Sequence, residues 1–353
     1  MIIQRSNGDV FHSVSLIKAI YDFFNSPQID LLVNDDTLQI ASLIPHINSI
    51  HTFSYKKKSE GRWFQERELI TKLIKSFDLS ISLTSSDRSV IYALLFGRKS
   101  ISVVEKDNKK SWWKKKLLTK YYFYDSTKHI VHQNLIPLEI LDIKRDYVQK
   151  PINISNNIKK STIRRLKEKG IEEFIIFHPS AQYKYKIMSK SLRDELLFQL
   201  SNIGIPIIIT GTKNKIDLEI KNELPQLENV FDFIGETSLE EYFALSDLSL
   251  AYVGMDTLNM HIAASQNKRI FAIFGPTNLK IWSPWSNKIK TAARIDMPFQ
   301  AYSNVSIFQS NMPCVACGQA GCNNSGKSEC LESININKIF EEVTCWIEKN
   351  VEL

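Results

Sequence analysis

The chain reads as an α/β protein built from two doubly wound domains, and three observations carry that expectation. Short β-rich apolar runs alternate with amphipathic stretches, which is the rhythm of βα units around a parallel sheet. The rhythm runs twice, interrupted at residues 147–161 (YVQKPINISNNIKKS), a stretch rich in Asn, Ser and Pro without periodicity, as linkers are. The length of 353 residues, with 43% hydrophobic and 24% charged residues, suits two domains of roughly 150 to 200 residues and excludes a disordered, collagenous or coiled-coil chain.

In the first half, strands are expected over residues 2–4, 29–33, 79–83 and 101–104, with helices over 13–24, 64–77 and 89–95. In the second half, strands over 173–177, 206–210, 229–232, 248–253 and 269–274 alternate with helices over 191–203, 216–224, 239–245 and 257–266. The stretch 281–332 is Ser/Asn/Pro-rich with cysteines embedded, and a last amphipathic helix is expected over 335–349. The boundary predicted from this pattern separates residues 1–155 from 156–353. Ligands of such sheets bind beyond the carboxyl ends of the strands, and two such domains are expected to face one another across a cleft.

The formal charge of +7 is not spread evenly: residues 98–128 hold ten Lys/Arg against three Asp/Glu, and the other 322 residues balance at 35 against 35. An anionic partner is therefore expected near that block, where Lys114, Lys115 and Lys116 follow Trp112 and Trp113 and precede Tyr121 to Tyr124. A solvated basic helix is the plainer alternative. No apolar run reaches the roughly 18 residues of a membrane span, and the amino terminus lacks the pattern of a signal peptide, so a cytoplasmic location is expected.

Several motifs bear on chemistry. Residues 321–328 (GCNNSGKS) satisfy the P-loop pattern, but no strand feeds the loop and no long helix leaves it, so phosphate binding is not expected there. Cys314, Cys317, Cys322 and Cys330 have spacing that a structural zinc could close, with four reduced thiols as the alternative; Cys345 reads as core. After the first strand, Gly8 permits a tight turn and Asp9 sits where a helix cap is needed. Ser180 and Thr212 follow later strands at the same sheet edge and could meet a nucleotide. Asp256 and Thr257 open a helix whose first amides, at Leu258 and Asn259, would favour a phosphate, and His261 lies one turn in on the same face.

On these residues the chain resembles the lipopolysaccharide heptosyltransferases of glycosyltransferase family nine. The opening GDVFHS over 8–13, DLSISLTSSDRS over 78–89 and SLEEYFALSDLSLAYVGMDTLNMHIAASQNKRIFAIFGPTNLKIWSPW over 238–285 carry the resemblance, which covers nearly the whole length. The four-cysteine tail resembles the branch that adds a third heptose. The resemblance implies a GT-B fold of two Rossmann-like domains, with the acceptor on the first and the nucleotide sugar on the second. It implies Asp9 as the catalytic base and Lys186 as the lysine that neutralises the donor diphosphate. Ser180, Thr212, Asp256, Thr257, Leu258, Asn259 and His261 would then be donor-binding.

The departures are Leu258 where the family has the glycine of DTGxxH, Met188 and Ser189 where it has the tryptophan and proline of KxWP, and Ser180 where it has the glycine of HPGA. The implied reaction is inverting and metal-independent, moving heptose from ADP-heptose to the inner core of lipopolysaccharide at the inner leaflet, and the chain contains no DxD sequence. Two alternatives stand beside it: a GT-B transferase of another nucleotide sugar, and a non-enzymatic binder of anions or nucleic acid using residues 98–128. Nucleic acid is not the expected partner, because no recognisable nucleic-acid module accompanies the basic block.

Overall fold

The structure, a computed structural model, describes residues 1–57 and 59–351. It divides into two compact units, Met1–Ile152 and Asn153–Leu353.

The first unit is a six-stranded, all-parallel sheet of order β3-β2-β1-β4-β5-β6, made of β1 (Ile2–Ile3), β2 (Asp30–Asn34), β3 (Ser49–Phe53), β4 (Phe77–Ser82), β5 (Gly97–Val104) and β6 (Lys120–Phe123). The order reverses at β1, so the loop that follows β1 leaves from the topological switch point. One face is a core of Ile2, Leu32, Phe53, Leu69, Leu73, Tyr92 and Phe96, covered by the helices Ser59–Leu73 and Asp87–Phe96. The alternate residues Ile3, Leu31 and Val33 are equally buried, as a parallel sheet covered on both faces requires. β3 and β6 were not foreseen. β6 reads KYYF with Lys120, Tyr121 and Phe123 exposed, because an edge strand needs burial on little of its surface.

The second unit holds β7 (Ile175–His178), β8 (Ile207–Ile209), β9 (Val230–Asp232), β10 (Ala251–Met255), β11 (Arg269–Ile273), β12 (Phe299–Tyr302) and β13 (Val305–Phe308), in the order β12-β13-β11-β10-β7-β8-β9. All neighbours are parallel except the hairpin β12–β13, which turns through Ser303 at φ 50° and was hidden in a Ser/Asn-rich stretch. Phe177, Ile209, Val253 and Phe271 point into one core with Leu196, Leu197 and Leu200 of the helix Lys190–Ser201 and Ile339, Val343 and Ile347 of the helix Ile336–Asn350. Cys345 stands between the buried positions 343 and 347 of that last helix and is exposed, so it is no core residue. The stretch 147–161 is only partly a linker: the helix Asn156–Glu168 begins inside it, capped by the Ser155 hydroxyl accepting from the Ile158 amide and buried through Thr162 and Leu166. Two buried residues in a polar helix leave too weak a periodicity to read.

One glycine is fixed by packing. β10 pairs with β7 so closely that a Cβ on Gly254 would stand 2.4 Å from the His178 carbonyl oxygen, and the residue has φ +158°. That close approach brings the loops after β7 and β10 side by side.

Candidate active site

In the first unit, the helix Asn7–Phe11 starts just beyond β1. Ser6, in extended backbone, is its N-cap, and Asp9 lies in the first turn rather than at the cap. The Asp9 carboxylate is buried. Its Oδ2 accepts from the Ser6 hydroxyl at 2.7 Å and the Ser6 amide at 3.2 Å, and its Oδ1 lies 3.2 Å from Arg5 Nε. These contacts fix the plane of the carboxylate, filling both lone pairs of Oδ2 and leaving a further one on Oδ1. Arg5 was not singled out from sequence, although its spacing of four from Asp9 was a signal. Close by, Tyr122 and Tyr124 have their phenol groups pushed up by burial, against a smaller lowering by Arg5.

Of the three lysines expected to meet an anion, Lys114 does something else. Its side chain is 2% exposed, and its ammonium donates to the Ser85 carbonyl at 2.6 Å and meets Asp87 at 2.8 Å and Glu105 at 3.2 Å. It anchors the helix Trp112–Leu117 to the loops after β4 and β5. Lys116 stays exposed, as do Trp112 and Leu117 on the same helix, while Lys115 is half-buried with its Nζ 5.0 Å from the centre of the Phe123 ring.

In the second unit, three loops at the carboxyl edge carry the residues expected around a nucleotide. Lys186, beyond β7, has its ammonium 3.1 Å from Asp256 Oδ2, beyond β10. Burial alone would lower the Lys186 ammonium, but the Asp256 carboxylate outweighs it and holds the group above its ordinary value. Thr257 is the N-cap of the helix Leu258–Ser265 but makes no side-chain cap bond, which leaves the first amides of the helix to another acceptor. Leu258 is half-buried at the first helical position and offers its backbone amide there. The imidazole of His261, one turn in, is buried; burial pushes it down to about 4, Lys186 adds to the fall and Asp256 opposes it. It is therefore a neutral ring beside an ion pair.

Asn259 does not face outward. Its amide stands 3.1 Å from His178 Nδ1, which is also 3.0 Å from the Thr210 hydroxyl. Both partners can donate to Nδ1, which leaves the ring hydrogen on Nε2. Burial lowers this imidazole too, with Asp217 opposing. Ser180 and Thr212 also turn inward: the hydroxyls of both, and the Thr212 amide, donate to the carboxylate of buried Asp217. The Thr212 hydroxyl further accepts from the Asn214 amide and side chain, so it has no capacity left for a ligand. His178 and Asp217 were missed in the sequence. Asp217 reads there as a first-turn acid three residues after the cap Asn214, a spacing that signals only a helix start.

The four cysteines do not gather as ligands. Cys314 and Cys317 are exposed thiols, Cys322 is half-buried and Cys330 is buried. Among the described residues no group of three or more His, Cys, Asp or Glu side chains is arranged to hold a metal ion. Burial pushes the Cys330 thiol up to about 11, with Cys322, Cys317 and Cys314 adding to the rise. What the segment does is brace the site loops: the Gly318 amide donates to the Pro276 carbonyl at 2.8 Å, the Ser328 hydroxyl donates to the Tyr185 carbonyl at 2.6 Å, and Leu331 packs under Gly275. Residues 321–328 run through a short 3-10 turn into the four-residue helix Glu329–Glu332, with no strand before them.

Similarity to known proteins places the chain in a family. Residues 67–308 match the model of glycosyltransferase family 9 (heptosyltransferase). The chain is 25% identical to lipopolysaccharide heptosyltransferase 3 of Escherichia coli K12 over 296 residues, covering 81% of this chain and 85% of that one. Two solved structures share the fold: the E. coli ADP-heptose LPS heptosyltransferase II, with TM-score 0.71 at 18% identity over 99% of both chains, and E. coli heptosyltransferase WaaC with ADP, with TM-score 0.69 at 15% identity over 99% of this chain and 98% of that one. With the family's match spanning more than half of its length, the chain belongs to glycosyltransferase family 9, the heptosyltransferases.

Proposed function

We propose that this glycosyltransferase moves a heptose from ADP-heptose to the inner core of lipopolysaccharide with inversion at the anomeric carbon. The observation that carries the reading is the Lys186–Asp256 pair beside the uncapped start of the helix Leu258–Ser265. A fixed ammonium and free helix amides are what a departing diphosphate needs, since each is worth most where negative charge develops. The donor assignment is supported by relatives whose names carry that chemistry, including WaaC solved with ADP-2-deoxy-2-fluoro heptose.

In the proposed reaction the Asp9 carboxylate takes the proton of an acceptor hydroxyl. The hydroxyl oxygen bonds to the anomeric carbon, and the bond from that carbon to the β-phosphate oxygen breaks. ADP leaves with its charge met by Lys186 and the amides of Leu258 and Asn259. Asp256 serves first as the counter-ion that holds Lys186 in place. The chain's own residues supply the base and the leaving-group charge, so the scheme requires no metal.

The acceptor is proposed to meet the first unit, at Lys115, Lys116, Trp112 and Leu117. Exposed Lys116 and half-buried Lys115 beside exposed apolar side chains suit a phosphorylated, lipid-borne acceptor at the inner face of the cytoplasmic membrane. Among the described residues no helix is long and apolar enough to cross a membrane.

The test is Asp9→Asn, assayed for turnover and for ADP binding by calorimetry. The expected outcome is turnover reduced by at least about 1000-fold with ADP affinity within about twofold of wild type, because the carboxamide keeps the shape but cannot take the proton. Unchanged turnover would remove Asp9 from the mechanism.

A further inference from the structure

Asp217 lies outside the scheme above, yet it is 2% exposed and its described hydrogen-bond partners are all neutral donors. A buried carboxylate without a cation is costly unless hydrogen bonds satisfy it, so a structure that retains one draws its neighbours tightly around it. Here those neighbours come from two separate loops. Ser180 lies two residues beyond β7, on the loop that carries Lys186, and Thr212 lies beyond β8. Asp217 enters from the first turn of the helix Lys215–Glu223, and its side chain closes against Gly211, where an added Cβ would stand 3.2 Å from the carboxylate. The Gly211 carbonyl in turn accepts from the Gly235 amide at 3.0 Å, which extends the tie to the loop after β9.

We infer that Asp217 is a positioning residue of the donor site, holding the Lys186 loop and the loop after β8 in one arrangement, and that Ser180 and Thr212 act on the donor through Asp217 rather than by touching it. The inference rests on the donor-site reading above and changes what two of its residues do. Their hydroxyl hydrogens are directed at Asp217, away from any diphosphate, so the groups these loops offer a nucleotide are main-chain amides and the Lys186 ammonium. Loosening Asp217 then misplaces the charge that meets the diphosphate without touching the base or the acceptor.

The experiment is a double-mutant cycle on the full chain with Ser180→Ala, Asp217→Ala and the pair, reading the KM for ADP-heptose, the KM for acceptor and the Kd of ADP by calorimetry. Asp217→Ala is expected to raise the donor KM and the ADP Kd by roughly tenfold, and to leave the acceptor KM within about twofold, which a general loss of structure would not do. Ser180→Ala alone is expected to cost about threefold and to cost nothing further in the Asp217→Ala background, since its effect runs through Asp217. Should Asp217→Ala fail to fold by circular dichroism, Asp217→Asn takes its place, because its carbonyl oxygen still accepts from Thr212 while its amide can no longer accept from Ser180. Independent, multiplying losses from Ser180 and Asp217, an acceptor KM that rises as far as the donor KM, or unchanged donor affinity would each overturn the inference. Absence of ADP binding by the wild-type chain would overturn the donor-site reading itself, and the inference with it.

Discussion

Buried titratable side chains in this protein take their roles from their partners, and the pH response follows. The His261 imidazole is held at about 4, below its ordinary 6.5, chiefly by burial. The unfolded chain therefore binds a proton between those values that the folded chain refuses, and stability falls as the pH drops from 6.5 toward 4. The contribution is roughly 3 kcal/mol, present in full above pH 6.5 and lost by about pH 4. Thermal unfolding between pH 4 and 7 should show this slope, and His261→Gln should flatten it; an equal slope in the variant would contradict the assignment. Lys114 is the second such residue. Lys114→Met keeps the buried stem but removes the charge from Asp87, Glu105 and the Ser85 carbonyl, and is expected to cost about 2 kcal/mol in denaturant unfolding. Half-buried Lys115 and exposed Lys116 should cost almost nothing there.

Elements differ in how clearly the sequence announces them, and the reason is burial. β7, β10 and β11 lie in the interior of a parallel sheet, and their runs IIFH, AYVGM and RIFAI read directly as strands. β3, β6 and β12 are edge strands and carry polar residues such as His51, Lys120 and Gln300, so little in composition separates them from loops. The same holds for the site. Asp256 and Thr257 stand at a strand-to-helix junction that the pattern marks, and Lys186 was carried by resemblance. The pairing of Lys186 with Asp256 across 70 residues, and of Ser180 and Thr212 with Asp217, depends on strand order and is not written in any local spacing. Gly254 belongs to this scale, since it sets how closely β10 approaches β7. Gly254→Ala would press a methyl group onto the His178 carbonyl, and thermal unfolding should report a loss of roughly 3 kcal/mol or more.

Across the whole molecule, the charge excess is the feature whose meaning changed most. The basic block of residues 98–128 belongs to the first unit, and it divides into an internal anchor, Lys114, a half-buried Lys115 and an exposed set that includes Lys109, Lys110 and Lys116. The account predicts that Lys115→Gln together with Lys116→Gln raises the KM for a lipid-borne acceptor about 30-fold and leaves ADP binding unchanged, because each lysine near an anionic surface is worth about 1 kcal/mol. Loss of both affinities together would count against separate acceptor and donor units. The central claim, heptose transfer by this chain, is tested most directly by incubating it with ADP-heptose and lipopolysaccharide carrying a truncated inner core, and reading the product by mass spectrometry. The account predicts an acceptor heavier by a single heptose together with stoichiometric ADP. Stable ADP-heptose in the presence of acceptor, or transfer only from a different nucleotide sugar, would contradict it.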